Sequence, residues 1–380
     1  MKHFFSKDRF LRLLSYLLVA VLASTATWFV APRTSKLENL ATIIEKRFIG
    51  EADQTQIKDA AAYAMVTALG DRWSYYIPAS QYAAHVENQN NEYVGIGITI
   101  LKRTDGKGMD IVAVTKGGPA EEAGLMTGDI ITHADGQAVG DMDTAELRGI
   151  IMGKKNTQVT VTVLRQGQSL DFRITRKQIH TVAASGQMLT DTVGLVTIAN
   201  FHDGAGKEAI DEIKKLTEQG AQALIFDVRN NPGGYVTEMV KLLDYLLPEG
   251  DLFRSVSYTG KESVEKSDAD CLELPMAVLI NGNTYSAAEF FAAALKEYDW
   301  AVTVGEPTTG KGYYQTTIEL GDGSAVQLST GEYTTPNGVN LTEVGGLTPD
   351  IPTEPGEAAA NALEDPQILA ALQAVGGETR

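Results

Sequence analysis

The sequence predicts a multidomain α/β protein, and three observations carry that prediction. From His180 onward, continuous apolar strands alternate with amphipathic helical stretches, as when helices cover a mostly parallel sheet. Residues 91–176 hold short strands separated by glycine turns, and residues 35–90 repeat apolar side chains at helical spacing. At 380 residues the chain can give each region its own core. Composition also narrows the function. A formal net charge of -17 opposes nucleic-acid binding, which needs a basic face to neutralise phosphates. Cys271 is the single cysteine, so no internal disulfide forms, and five scattered histidines give no zinc-ligand spacing. No metal or other cofactor is expected.

In chain order, residues 1–34 open with Lys2, Lys7, Arg9 and Arg12, followed by 19 uncharged positions from Leu13 to Ala31. That length suits a transmembrane anchor and exceeds a usual signal-peptide core, although Ser24-Thr25-Ala26 would allow cleavage. The anchor is the preferred reading, with the basic stub cytoplasmic and the remainder of the chain extracytoplasmic; secretion after cleavage is the alternative. Residues 35–90 read as a helical N-terminal subdomain. Leu37, Leu40, Ile43 and Ile44 mark one helix, and Ile57, Ala60, Ala61, Ala64 and Leu69 mark a second, capped by Asp53 or Thr55.

Residues 91–177 change character. Val94 to Ile100 is a strand opened by glycines, Ile111 to Val114 a second strand, and Pro119 to Ala123 one short helix ended by Gly124. Gly128 to Gly136 gives a strand and an Asp-Gly turn. Thr144 to Met152 is helical, and Gln158–Leu164 with Ser169–Arg173 forms a hairpin about Gln166-Gly167. The Gly95-x-Gly97 pair is no dinucleotide loop, because Ile100 stands where a third glycine is needed and no helix follows. His133 sits on a strand as a structural side chain. Across its length this stretch resembles a PDZ domain, a β-sandwich-like module. The loop Tyr93-Val94-Gly95-Ile96-Gly97 matches the family's carboxylate-binding loop, and Ala123-Gly124-Leu125 with Gly128-Asp129-Ile130-Ile131 matches its regular internal motif. The resemblance implies that a chain-terminal carboxylate is held by loop N–H groups while the peptide joins the sheet edge.

Residues 178–354 carry the alternating strands and helices. Val193 to Ile198 is a strand, and Gly206 to Gln219 a helix with Ile210, Ile213 and Leu216 on one stripe. Ala223 to Val228 is a continuous apolar strand that runs into Arg229-Asn230-Asn231-Pro232-Gly233-Gly234. Met276 to Ile280 is another, leading through Asn281 to Ser286 and a helix from Ala287. A further strand, Ala301 to Val304, precedes Thr308-Thr309-Gly310-Lys311-Gly312. Residues 312–333 read as hairpin strands, and residues 355–380 as a C-terminal helical tail.

The chemistry centres on three pieces. Ser286 opens a helix, and Ser286-Ala287-Ala288-Glu289 has the form of a capping box, its ordinary explanation. The same location aims helix N–H groups and the positive end of the dipole at whatever sits on the serine oxygen. Lys311 lies between glycines, which is ordinarily a solvated loop position. As a base it must be neutral, which requires desolvation against a pKa of about 10.4. A Ser–Lys pair is a known variant of the catalytic triad. Gln315 either orients the lysine amine through its amide oxygen or simply belongs to a strand. Asn231-Pro232-Gly233-Gly234 is a turn whose glycines let N–H groups approach a developing negative charge. No Gly-x-Ser-x-Gly elbow supports a Ser-His-Asp hydrolase.

Together these pieces resemble the tail-specific (carboxy-terminal processing) serine peptidases, family S41. Asn281 through Glu289 matches the family's serine motif, Thr308 through Gln315 its lysine motif, and Asp227 through Gly234 its strand-and-glycine element. The resemblance implies a crotonase-like, caseinolytic-protease-like α/β core with an inserted PDZ domain between helical segments. It also implies Ser286 as nucleophile, Lys311 as general base, Gln315 orienting Lys311, and an oxyanion hole from Ala287 with Gly233 or Gly234. Arg148 is the candidate that couples tail binding to activity. Tyr285 departs from the small residue usual beside the serine, and Thr309 from a common aromatic. The expectation is an endopeptidase acting on extracytoplasmic proteins near free C-termini, with a homodimer as a further implication. The competing expectation is a catalytically silent PDZ scaffold that binds protein tails.

Overall fold

The computed structural model describes residues 15–17, 35–356 and 361–376. The apolar stretch Leu13–Ala31 lies outside these residues except for Ser15–Leu17. Among the described residues no helix is long and apolar enough to cross a membrane. The chain forms two compact units, residues 1–76 and 77–380.

The first unit contains helices α1 (Lys36–Arg47) and α2 (Gln54–Thr67). Ser35 caps α1 in a reciprocal box with Glu38, and Asp53 caps α2 by accepting from the Thr55 and Gln56 N–H groups. Neither helix buries a residue, so the stripe Leu37, Leu40 and Ile43 stays exposed. A short strand, β1 (Tyr75–Ile77), follows them in sequence.

The second unit starts with α3 (Ala79–Gln89). After it come strands β2 (Glu92–Gly95), β3 (Ile98–Lys102) and β4 (Met109–Val114), then helix α4 (Pro119–Ala123). Strands β5 (Ile130–Ala134) and β6 (Gln137–Ala138) precede helix α5 (Thr144–Ile151). Strands β7 (Gln158–Arg165), β8 (Gln168–Thr175) and β9 (Lys177–His180) complete this part. Its sheet runs β3-β4-β5-β7-β8, with β6 on β5, while β2 pairs with β9. Two expected tight turns form as their sequences dictate. Asp135-Gly136 and Gln166-Gly167 both take positive φ at each residue, the geometry that matches strand twist in a two-residue hairpin. Ile96, Met109, Ile111, Ile131, Leu147 and Val161 centre a separate core.

Strands β10 (Ala184–Met188) and β11 (Val193–Ile198), helix α6 (Ala205–Glu218), strand β12 (Ala223–Asp227) and helix α7 (Val236–Leu246) begin the larger layer structure. Strands β13 (Gly250–Ser257), β14 (Glu262–Ser267) and β15 (Met276–Ile280) follow, then helix α8 (Ala287–Glu297) and strand β16 (Ala301–Gly305). Strands β17 (Tyr313–Glu319) and β18 (Ala325–Thr334), helix α9 (Leu341–Val344), strand β19 (Ile351–Pro352) and helix α10 (Pro366–Ala374) end it. The main sheet runs β10-β11-β12-β15-β16-β19 and is parallel from β11 onward.

Alternation along the central strands divides the core in two. Leu224, Phe226, Val278 and Ile280 face the cluster that holds Phe290 and Phe291 of α8, whereas Ala223, Ile225, Ala277 and Leu279 face Ile368, Ala371 and Leu372 of α10. Both faces are therefore covered, which explains the unbroken apolar runs of β12 and β15. Helix α8 is buried through Ala287–Leu295, so its amino end is fixed at the carboxyl edge of the sheet. Beside it, β14, β13, β18 and β17 form an antiparallel ribbon.

Candidate active site

Strand β15 ends at Ile280, and six residues later Ser286 begins α8 with φ 61° and ψ -131°. A side chain with a Cβ rarely adopts that conformation, and holding it costs about 1–3 kcal/mol. The surroundings enforce it. The Tyr285 N–H donates to the Asn231 carbonyl at 3.1 Å, and Thr284 Oγ1 donates to the Val228 carbonyl at 2.8 Å. The Ser286 N–H donates to Glu289 Oε2 at 2.9 Å, the return half of the expected capping box.

Glu289 does more than cap. Its carboxylate is fully buried, and it accepts from Ser286 N–H and Lys311 N–H on Oε2, each at 2.9 Å, and from Gly310 N–H at 2.6 Å and the Thr308 hydroxyl on Oε1. Two oxygens with two donors each satisfy the carboxylate, so a buried charge is tolerated here. In doing so it joins the serine turn to the lysine loop. Lys311 is buried, 8% exposed, with its Nζ 5.8 Å from the centroid of the Tyr285 ring. The flanking glycines make room. A Cβ on Gly312 would meet Asn340 Oδ1 at 2.3 Å, and Gly310, at φ +81°, would place one 2.8 Å from the Gly346 nitrogen. Lys311 is thus largely shielded from solvent.

The glycine loop packs on the other side of the serine. A Cβ on Gly233 would lie 2.7 Å from Ser286 Cβ and 2.9 Å from the Ala287 nitrogen. The Gly233 N–H already donates to Asn231 Oδ1 at 2.8 Å, while its carbonyl accepts from Phe201 at 2.7 Å. A Cβ on Gly234 would strike the Phe201 carbonyl at 2.3 Å. Arg229 anchors the loop from outside. It pairs with Asp227 through two nitrogens, at 2.9 and 2.6 Å, and reaches Asp365 at 2.6 Å and Gln367 at 2.8 Å.

Gln315 lies on β17. Its Nε2 donates to the Tyr313 carbonyl at 3.0 Å and Ser329 Oγ at 3.1 Å, and neither bond reaches Lys311. The register of β17 on β18 shifts between Tyr314 and Gln315, and that bulge directs the amide back onto its own ribbon. The group that does meet the serine is one the sequence does not mark. The Tyr333 hydroxyl lies 2.9 Å from Ser286 Oγ, and both side chains are buried. Nothing local to Tyr333 in sequence signals this, since 47 residues separate the two.

The other predicted residues form a groove of about 390 Å³ between β3 and α5. Tyr93, Gly95, Ile96, Gly97 and Arg148 line it; Val94 is buried in the β2–β9 pair instead. The Ile96 carbonyl accepts from Ala120 at 2.8 Å and the Gly97 carbonyl from Thr115 at 2.9 Å. Because a planar peptide points its N–H opposite its C=O, the N–H groups of Gly97 and Ile98 turn away from those partners. Arg148 is exposed at the rim, with Nε 3.1 Å from Met152 Sδ. Burial raises the Tyr93 phenol above its ordinary pKa, against smaller opposing effects of Thr115 and the Arg148 charge.

Comparison with known proteins identifies the family. The sequence model of peptidase family S41 matches residues 192–353, and that of a PDZ domain matches residues 111–165. The carboxy-terminal processing protease CtpA of Bacillus subtilis (strain 168) is 31% identical over 356 residues, covering 89% of this chain and 76% of the relative. A CtpA-like serine protease of Staphylococcus aureus (strain N315) is 31% identical over 322 residues, 83% of this chain. The match spans 64% of that relative's length. Among solved structures, a photosystem II D1 C-terminal processing protease shares 27% identity at a TM-score of 0.52, covering 87% of this chain and 89% of the other. An S41 protease from Bacteroides fragilis shares 16% identity at a TM-score of 0.57, over 90% and 97% of the two chains, a likeness of fold.

Proposed function

Because this chain belongs to peptidase family S41 and carries a PDZ domain, we propose that it is a serine endopeptidase using a Ser286–Lys311 dyad to cut proteins near their C-termini. The observation that carries this reading is the buried Glu289 carboxylate, which holds Ser286 and Lys311 by their N–H groups on one oxygen. In the first step Ser286 Oγ attacks the scissile carbonyl while its proton passes to the Lys311 amine. The tetrahedral intermediate collapses as the C–N bond breaks, and Lys311 returns the proton to the leaving amine. Water then attacks the acyl-enzyme ester, again with Lys311 taking the proton, and the new C-terminus leaves as Ser286 is restored.

The Ala287 N–H at the amino end of α8 supplies one oxyanion donor, and the glycine loop supplies the second. Gly234 serves directly, or Gly233 does so once Asn231 releases its N–H. Gln315 would orient Lys311 through its amide oxygen, with its Nε2 held by Tyr313 and Ser329. The groove lined by Tyr93, Gly95, Ile96 and Gly97 takes the substrate's terminal carboxylate, with Arg148 as its charged partner. Val94 supports this loop from behind. The N-terminal apolar stretch anchors the body on the extracytoplasmic side of the membrane. On this reading residues 35–90, 91–177, 178–354 and 355–380 are the helical subdomain, PDZ domain, peptidase core and tail.

The test is cleavage of an unfolded protein with a free apolar C-terminus by the full chain, by Ser286→Ala and by Lys311→Ala. Both variants are expected to lose cleavage while keeping the thermal transition of the parent. Cleavage that survives Lys311→Ala would remove the lysine from the mechanism. Tail binding without any cleavage would leave a scaffold.

A further inference from the structure

We propose that Tyr333 is a further catalytic residue, whose phenol donates a hydrogen bond to Ser286 Oγ and stabilises the alkoxide character that Oγ acquires during attack. The inference rests on the Ser286–Lys311 reading above. The direction of the bond follows from that chemistry. If the serine proton goes to Lys311, the hydrogen lying between Oγ and the phenol oxygen must be the phenol's. A hydrogen bond to the charged form of a group favours that form, so the phenol eases removal of the serine proton. Donation from an O–H to a developing anion is also among the stronger hydrogen bonds.

Three features hold the phenol to this task. Its ring packs edge-on against Phe290 at 4.4 Å and tilted against Phe253 at 5.2 Å, so the hydroxyl cannot swing away. Its backbone N–H donates to the Gly312 carbonyl at 3.0 Å, which ties the tyrosine to the residue following Lys311. One residue thereby contacts the serine of the proposed dyad and the glycine that follows its lysine. Finally, complete burial keeps the phenol protonated well above the ordinary tyrosine range, with the Ser286 bond acting weakly the other way and the nearby Glu289 adding to the rise. It therefore remains a donor and does not compete with Lys311 for the serine proton.

The role is distinct from packing, because Tyr333→Phe removes only the hydroxyl. The experiment measures the rate at which a fluorophosphonate labels the full chain in detergent, alongside kcat and KM for a peptide substrate, in the parent, Ser286→Ala and Tyr333→Phe. The parent should be labelled at Ser286 and Ser286→Ala should not. Tyr333→Phe should keep its thermal transition and its KM while labelling rate and kcat fall about 10- to 100-fold. Labelling of Tyr333→Phe at the parent rate would overturn the tyrosine role and leave the dyad standing. Faster labelling would also overturn it, since the phenol would then be restraining the serine. A parent that is not labelled at Ser286 would overturn the dyad, and the tyrosine role with it.

Discussion

The serine site and the β3–α5 groove hold their polar groups in opposite ways. At the serine site everything polar is enclosed. A fully buried carboxylate meets four donors, a lysine is wrapped by glycines, and a serine is held in a strained backbone conformation. In the groove the polar groups are loop N–H groups and one exposed arginine, set over aliphatic side chains. Enclosure strengthens each electrostatic interaction and makes each one hard to remove, whereas an open rim lets charge be lost cheaply. Removing the buried carboxylate of the first site should therefore disturb folding and function together, and removing the rim charge of the second should separate them.

The largest effect expected under this contrast is that of Glu289→Ala. It strands the Ser286, Gly310 and Lys311 N–H groups in a buried space. Urea denaturation should show a loss of about 3–5 kcal/mol, and serine labelling should vanish. A stability loss below about 1 kcal/mol would mean the network is not the joint between the two loops. A smaller effect of opposite sign is expected at the serine itself. Ser286→Gly and Ser286→Ala should both abolish cleavage, but the glycine variant should be more stable than the alanine variant by about 1 kcal/mol. It relieves strain of about 1–3 kcal/mol against an entropic cost of about 0.5–1 kcal/mol. Equal denaturation midpoints would show that the turn is not strained. The smallest effect on folding belongs to Arg148→Ala. Fluorescence anisotropy should report tail-peptide binding weakened about 10- to 100-fold, with stability within about 0.5 kcal/mol of the parent. Unchanged affinity would remove the arginine from carboxylate recognition.

The same contrast governs what the sequence reveals. Strand-turn-helix order, the Asp135-Gly136 and Gln166-Gly167 hairpins and the glycine-bounded Lys311 are local features, each written in a few consecutive residues. The PDZ and S41 folds were legible on that basis. Glu289 was legible as a cap, which explains only one of its four hydrogen bonds, because the other three come from residues 19–22 positions away. Tyr333 was not legible at all, since its partner depends on how the β17–β18 ribbon lies against α8. The direction of the Gln315 amide was not legible for a related reason, since a bulge that spacing cannot show sets it. Strand β14 was hidden because its residues are polar and almost all exposed, and pairing with β13 defines it.

Arg229 adds a matter of timing. The glycine loop is secured from outside by Asp365 and Gln367, which lie 136 and 138 positions downstream. During synthesis from the amino end, the strands, the serine and the lysine therefore emerge before the residues that fasten the loop beside them. A nascent chain halted ahead of Asp365 would present Ser286 and Lys311 with that clasp open. Completion of the site is thereby tied to the late arrival of α10, well after the groove between β3 and α5 has all of its residues.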